Sequence, residues 1–206
     1  MLLSIDTLFL AGSVSHSLLR KQIGRPVSSL PIATDQTILS AWNERVTQAG
    51  LDGSRRLLIS ATQENPIRKR DRERLAMEVI VDERTHRGVG GVVKDALERR
   101  DDEPPSGDIV LVIEATSSPA VDLGELARIH TQGDAAITFG MDCDRKYAGC
   151  LLLNREILEL VPSVGFFDLK EQLAQAARDS GARLEAAEIT RKSIRVHTLE
   201  AWRRAV

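Results

Sequence analysis

Short, unbroken apolar runs alternate along this chain with segments whose apolar residues recur at helical spacing. Ile5 to Ala11 is such a run, stopping at Gly12, and Leu57–Ser60, Met77–Val81 and Ile109–Ile113 are others. Between them, Ile38, Leu39, Trp42, Val46 and Ala49 fall on one helical face, so a helix is predicted over Asp35–Ala49, stopped by Gly50. Gly88 to Gly91 opens a second predicted helix, which carries Val92, Val93, Ala96 and Leu97. Further helices are predicted over Asp122–Thr131 and Asp168–Ser180, with a short one at the C-terminus. The remaining predicted strands are Ala135–Phe139, Ala148–Leu153 and a closing one near Ile194–Val196. Parallel strands need crossovers of a dozen residues or so, usually helical, and this alternation supplies them. The pattern therefore predicts an α/β layer fold with a largely parallel sheet.

Only one segment, Asp101 to Gly107 with Pro104 and Pro105, has the composition of a long surface loop. No repeat, low-complexity stretch or linker divides the 206 residues, so a single domain spanning 1–206 is expected. Aromatics are only 3%, which leaves the core to Leu, Ile, Val and Ala. The 28 basic and 30 acidic residues give a net charge of -2, which exerts no general pull toward nucleic acid or an anionic membrane. No run approaches the roughly 18 apolar residues of a membrane span. The apolar start, Met1 to Leu10, lacks the basic leader and cleavage site of a signal peptide. Cys143 and Cys150 make no disulfide framework and read as two buried thiols, so a reducing cytoplasm is the expected compartment.

Several local patterns have ordinary readings. Asp142-Cys143-Asp144 is a D-x-D, but two aspartates after a predicted strand suit a tight turn better than a metal site. Arg68 to Arg74 is interrupted by Asp71 and Glu73 and reads as a solvated face. His16, His86, His130 and His197 show no zinc-ligand spacing. No nucleophile elbow is present.

One resemblance spans nearly the whole chain. Leu10 to Ile32, LAGSVSHSLLRKQIGRPVSSLPI, is similar to the opening of sugar-1-phosphate nucleotidyltransferases, L-A-G-G-x-G-T-R-L-x-P followed by P-K-P-L-L-P-I/V. Leu10, Ala11, Gly12, Leu18, Pro26, Leu30, Pro31 and Ile32 agree with it. Gly88-Val-Gly-Gly resembles the family's G-T-A-G turn beside the base. Ile109–Ile113 resembles the strand carrying its catalytic aspartate, and Tyr147-Ala148-Gly149 its N-A-G. Phe167-Asp168-Leu169-Lys170-Glu171 resembles its F-D-L-K-E. The resemblance implies a three-layer α/β/α sandwich of the nucleotidyltransferase type. It also implies Mg²⁺, if the protein is active, and a nucleoside triphosphate or nucleotide sugar as ligand. Ala11, Gly12, Ser13, Ser15, His16, Gly88, Gly90 and Gly91 are then expected to face the nucleotide, Arg20 and Lys21 its phosphates, and Glu114 any metal.

The departures bear on chemistry. Ser13 and Ser15 replace loop glycines, His16 the threonine and Ser17 the arginine. Val27 replaces the lysine of P-K-P, and Glu114-Ala115 stand where the family has Gly-Asp. The aspartate of W-x-D-I-G-T has no counterpart in Ser193–Thr198, which offers Val196 or His197 instead. Only Gly140–Lys146 fill the place of the family's insert with its E-K-P sugar motif. Three readings follow: a pseudoenzyme that binds a nucleotide or nucleotide sugar and acts through a partner or by oligomerising; an active Mg²⁺-dependent enzyme with an unusual phosphate acceptor; or a structural subunit without ligand.

Overall fold

A computed structural model describes residues 4–11, 18–62, 65–67, 71–83, 86–98 and 107–206. The strands are β1 (Ile5–Leu10), β2 (Pro31–Ala33), β3 (Gln36–Thr37), β4 (Arg55–Ser60), β5 (Glu78–Asp82), β6 (Ile109–Glu114), β7 (Ile137–Asp142), β8 (Tyr147–Asn154) and β9 (Leu184–Thr190). The helices are α1 (Leu18–Ile23), α2 (Ile38–Gln48), α3 (Arg72–Leu75), α4 (Gly88–Glu98), α5 (Leu123–Gln132), α6 (Gln172–Asp179) and α7 (Leu199–Ala205). Seven strands form one sheet in the order β5-β4-β1-β6-β8-β7-β9, while β2 and β3 make a small hairpin. Only β8 runs against its neighbours; the other pairings in the large sheet are parallel.

The pleat of β1 explains the layering. Ile5 and Phe9 point into a core built with Leu39, Trp42 and Val46 of α2 and with Leu126 of α5. Leu8 and Leu10 point the opposite way, against Val93 and Ala96 of α4 and Leu173 of α6. A sheet buried on both faces yields the continuous apolar strands seen in the sequence. The architecture is a three-layer α/β/α sandwich.

Connectivity then selects one end of the sheet. From β1 the chain moves outward through β4 to β5, and returns on the other side of β1 as β6. The carboxyl ends of β1 and β6 thus flank a topological switch point, where open α/β sheets form their crevices.

Several boundaries differ from expectation. The helix predicted over Asp35–Ala49 begins at Ile38, because Thr37 caps it in a reciprocal box with Ser40 and residues 31–37 pair as the hairpin. The helix predicted from Asp168 begins at Gln172. The closing strand is β9, not Ile194–Val196; the latter segment crosses the strand ends and makes one bridge, Ser117 to Arg195. Cys150 is buried as expected, but Cys143 is exposed, with its thiol donating to the Arg191 carbonyl at 2.8 Å. Of the D-x-D, Asp142 ends β7 and Asp144 lies in the tight turn to β8, with Met141 pairing directly with Tyr147 across it.

Candidate functional site

Glu114 is the last residue of β6 and lies in register with Leu10, the last residue of β1. Its carboxylate meets two cations. The Lys170 ammonium donates to Oε1 at 2.9 Å, and Nη2 of Arg195 donates to Oε2 at 2.7 Å. The Glu114 side chain is 14% exposed, against 34% for Lys170 and 56% for Arg195. Lys170 also lies 5.0 Å from the centre of the Tyr147 ring, an additional cation–π contact. Burial, with the Glu114 charge second, pushes the Tyr147 hydroxyl well above its ordinary pKa. Burial likewise pushes up the neighbouring Cys150 thiol. Neither group ionises readily there.

Lys170 is delivered by the segment before α6. Asp168 accepts the amides of Lys170 and Glu171 on Oδ1 at 2.8 and 2.9 Å, closing a local turn. The segment is anchored on the start of α4: the Phe167 amide donates to the Arg87 carbonyl, and the Gly90 amide to the Phe167 carbonyl, both at 2.9 Å. The buried Arg87 guanidinium grips Asp95 through two bonds of 3.1 Å and donates to the carbonyls of Pro162 and Gly165. That hydrogen bond to Asp95 raises the Arg87 pKa.

Arg195 arrives from the other direction. Its segment is hung on the end of β6 by Ser118 N–H donating to Ile194 and Val196 N–H donating to Thr116, both at 2.8 Å. Asp142 anchors the same segment, accepting the amide and hydroxyl of Ser193 at 3.0 and 2.8 Å on Oδ2. Its Oδ1 accepts the amides of Lys146 and Asp144. These bonds, the Ser193 amide first, hold the Asp142 carboxyl at a pKa of about 2. The first aspartate of the D-x-D is therefore a strut between the hairpin and the Arg195 segment.

The glycines of the resemblance have local reasons. Gly149 sits at φ +89°, and a Cβ there would fall 2.1 Å from the Ser117 hydroxyl, which itself donates to the Glu114 carbonyl. Gly88, at φ +67°, would place a Cβ 2.5 Å from the Phe167 carbonyl oxygen. Gly90 abuts Phe167 as well, and Gly91 abuts the Arg87 side chain. The missing side chains at positions 88, 90 and 91 thus admit the chain's own segments.

The residues expected at the nucleotide divide as follows. Ala11 is buried at the end of β1, its amide donating to Leu58. Gly12, Ser13, Ser15 and His16 lie outside the described residues, as do Arg68–Arg70 of the basic run. Arg20 and Lys21 stand in the last turn of α1, Arg20 half-buried and Lys21 exposed. An unfilled crevice of about 200 Å³ lies beside the ends of β1, β4 and β5, lined by Leu10, Ser60, Asp82, His86, Gly88 and Val92. A larger cavity, about 850 Å³, lies at the amino end of β6, remote from Glu114. Its cations are committed: Lys94 donates to the Val161 carbonyl, and Arg155 to Asp6 and the Gly107 carbonyl.

Arg195 is the residue that sequence reasoning missed. Val196 is fully buried and His197 is exposed on the Arg195 carbonyl, so neither expected substitute is the side chain that reaches Glu114. Counting D-I-G-T back from Thr198 places the family's aspartate at Arg195, and that count was the available signal. A divalent cation needs hard oxygen ligands. Both Glu114 oxygens are occupied by cations, and among the described residues no cluster of three or more His, Cys, Asp or Glu is arranged to hold a metal. The described residues do not fit a Mg²⁺ centre.

No protein-family model matches the chain, and no curated protein matches its sequence. Solved structures match it over nearly its whole length. A putative glucose-1-phosphate thymidylyltransferase from Bacillus anthracis, in complex with sucrose, superposes with a TM-score of 0.71 at 12% identity, over 98% of this chain and 94% of that one. UDP-glucose pyrophosphorylase complexed with UDP-glucose gives 0.66 at 12% identity, over 98% and 97%. Rv0371c from Mycobacterium tuberculosis H37Rv, in complex with manganese, gives 0.63 at 17% identity, over 100% and 98%. The chain shares its fold with all three, the first two of which are sugar-phosphate nucleotidyltransferases.

Proposed function

We propose that this chain, built on the sugar-phosphate nucleotidyltransferase fold, binds a nucleotide or nucleotide sugar without turning it over. The observation that carries this reading is the double ion pair on Glu114, whose oxygens accept from Lys170 and Arg195 at 2.9 and 2.7 Å. Nucleotidyl transfer by the family depends on aspartates that hold Mg²⁺, which stabilises the charge developing at the attacked phosphorus. Here the carboxylate at the corresponding strand end is neutralised by the chain itself. Seating a metal on a Glu114 oxygen means crowding or displacing the cation already hydrogen-bonded to it. The tight β7–β8 hairpin also leaves no room for the sugar-handling insert.

The ligand sits in the crevice at the strand ends, against Ala11 and the amino end of α4. Arg20 and Lys21 approach its phosphates. The bound UDP-glucose of one structural neighbour supports a nucleotide sugar as the ligand class. The protein then acts in the cytoplasm through a protein partner or by self-association, since binding alone makes no product.

A thermal-unfolding screen against nucleoside triphosphates and nucleotide sugars, with and without Mg²⁺, tests the reading. A ligand at about 100 times its dissociation constant adds about 2.7 kcal/mol of stability. In a chain of this size that moves the midpoint by roughly 5–11 °C. A shift that does not depend on Mg²⁺ is expected. A shift that requires Mg²⁺ returns the chain to the active enzymes, and no shift with any ligand leaves a structural role.

A further inference from the structure

The cations around Glu114 outnumber it. One carboxylate faces an ammonium and a guanidinium, so the trio carries a net positive charge. Asp168, two residues before Lys170, directs Oδ1 at the backbone amides of Lys170 and Glu171. Exposure is graded as well: the carboxylate is the most covered member and the guanidinium the most open. The positive ends therefore face outward over the switch point, with the negative charge beneath them. An ammonium carries three N–H donors and a guanidinium five, and the Glu114 bonds take one from each.

Both cations are placed in advance. They come from segments 56 and 81 residues away from Glu114, and each segment is fixed by backbone hydrogen bonds on the near side of the site. Some surface ion pairs join neighbours on a helix face, as Glu125 and Arg128 do in α5, and Arg183 with Asp134 joins two distant residues one to one. Two distant cations converging on one carboxylate at a strand end form a preorganised donor set, which lowers the ordering cost of binding an anion.

We propose that Lys170 and Arg195 are a phosphoryl-binding pair that works without metal, with Glu114 as the positioning residue beneath it. The proposal rests on the nucleotide-binding reading above and adds Lys170 and Arg195 to Arg20 and Lys21 at the ligand's phosphates. The guanidinium fork donates to two phosphoryl oxygens and the ammonium supplies a point charge. The ligand class is a phosphate ester or diphosphate. The same chemistry suits free inorganic pyrophosphate.

The test is calorimetric titration in EDTA with inorganic pyrophosphate, the ribonucleoside diphosphates and their parent nucleosides. Wild type is compared with Arg195→Met, Lys170→Met and Arg195→Lys. Both Lys170 and Arg195 are partly exposed, and melting curves check that each variant folds. Wild type is expected to bind a diphosphate, and each Met variant to bind it about tenfold or more weakly. Arg195→Lys should recover part of the loss, and any affinity for the parent nucleoside should be unchanged. Pyrophosphate binding as tightly as the best nucleotide supports the pair and identifies the free anion as ligand. If the Met variants bind diphosphates as wild type does, the pair is refuted while the nucleotide-binding reading stands. If wild type binds no probe, the pair is refuted, and the thermal screen with triphosphates and nucleotide sugars decides the nucleotide-binding reading separately.

Discussion

Replacing Asp95 by Asn tests the staple that fixes the Lys170 segment. Arg87 is 6% exposed and Asp95 8%, and their two bonds of 3.1 Å are buried between α4 and the 162–167 segment. Asn keeps the shape of the carboxylate and one acceptor, but leaves the guanidinium buried without its counter-charge. Breaking a buried pair from one side costs about 3–5 kcal/mol. The retained acceptor and the carbonyls of Pro162 and Gly165 place this case at the lower end, about 3 kcal/mol. For a chain of this length that lowers the melting midpoint by roughly 6–12 °C. Scanning calorimetry at neutral pH measures it directly. An apolar double replacement, Arg87→Met with Asp95→Leu, should recover much of the loss relative to either single variant. A midpoint for Asp95→Asn within about 2 °C of wild type refutes the staple, since that is less than 1 kcal/mol.

Gly149→Ala combines φ +89° with a Cβ placed 2.1 Å from the Ser117 hydroxyl, so urea unfolding should show a loss of about 3 kcal/mol; an unchanged midpoint would show that the β6 end can yield. The Asp142 carboxyl titrates near 2 when folded, below its ordinary 3.8. Its stabilisation is therefore complete above about pH 4 and is lost as the pH falls toward 2. Asp142→Asn should flatten the acid dependence of the urea midpoint across that window, and an equal slope in both proteins contradicts the strut.

The strands buried on both faces were legible because burial leaves them apolar throughout, as in Ile109–Ile113 and Ala148–Leu153. The helix opened by Gly88 was legible from the spacing of Val92, Val93, Ala96 and Leu97. β9 was not. Its LEAAEIT sequence has the composition of a helix, and as an edge strand it buries only alternate residues, so pairing with β7 decides its state. The resemblance located Glu114 at a strand end and quoted Lys170 within F-D-L-K-E, but no local pattern joins them. Ion pairs across 56 and 81 residues are set by the crossovers, not by neighbouring sequence. Cys143 read as buried beside an apolar stretch, yet the tight turn after β7 carries it outward.

On the proposed function, nucleotide binds at this site without a divalent ion. Calorimetric titration of the nucleotide giving the largest thermal shift, once in EDTA and once in excess Mg²⁺, tests it most directly. The expected result is the same dissociation constant in both buffers, with no pyrophosphate or sugar nucleotide formed on prolonged incubation with sugar phosphates. Binding seen only with Mg²⁺, together with release of pyrophosphate, contradicts it.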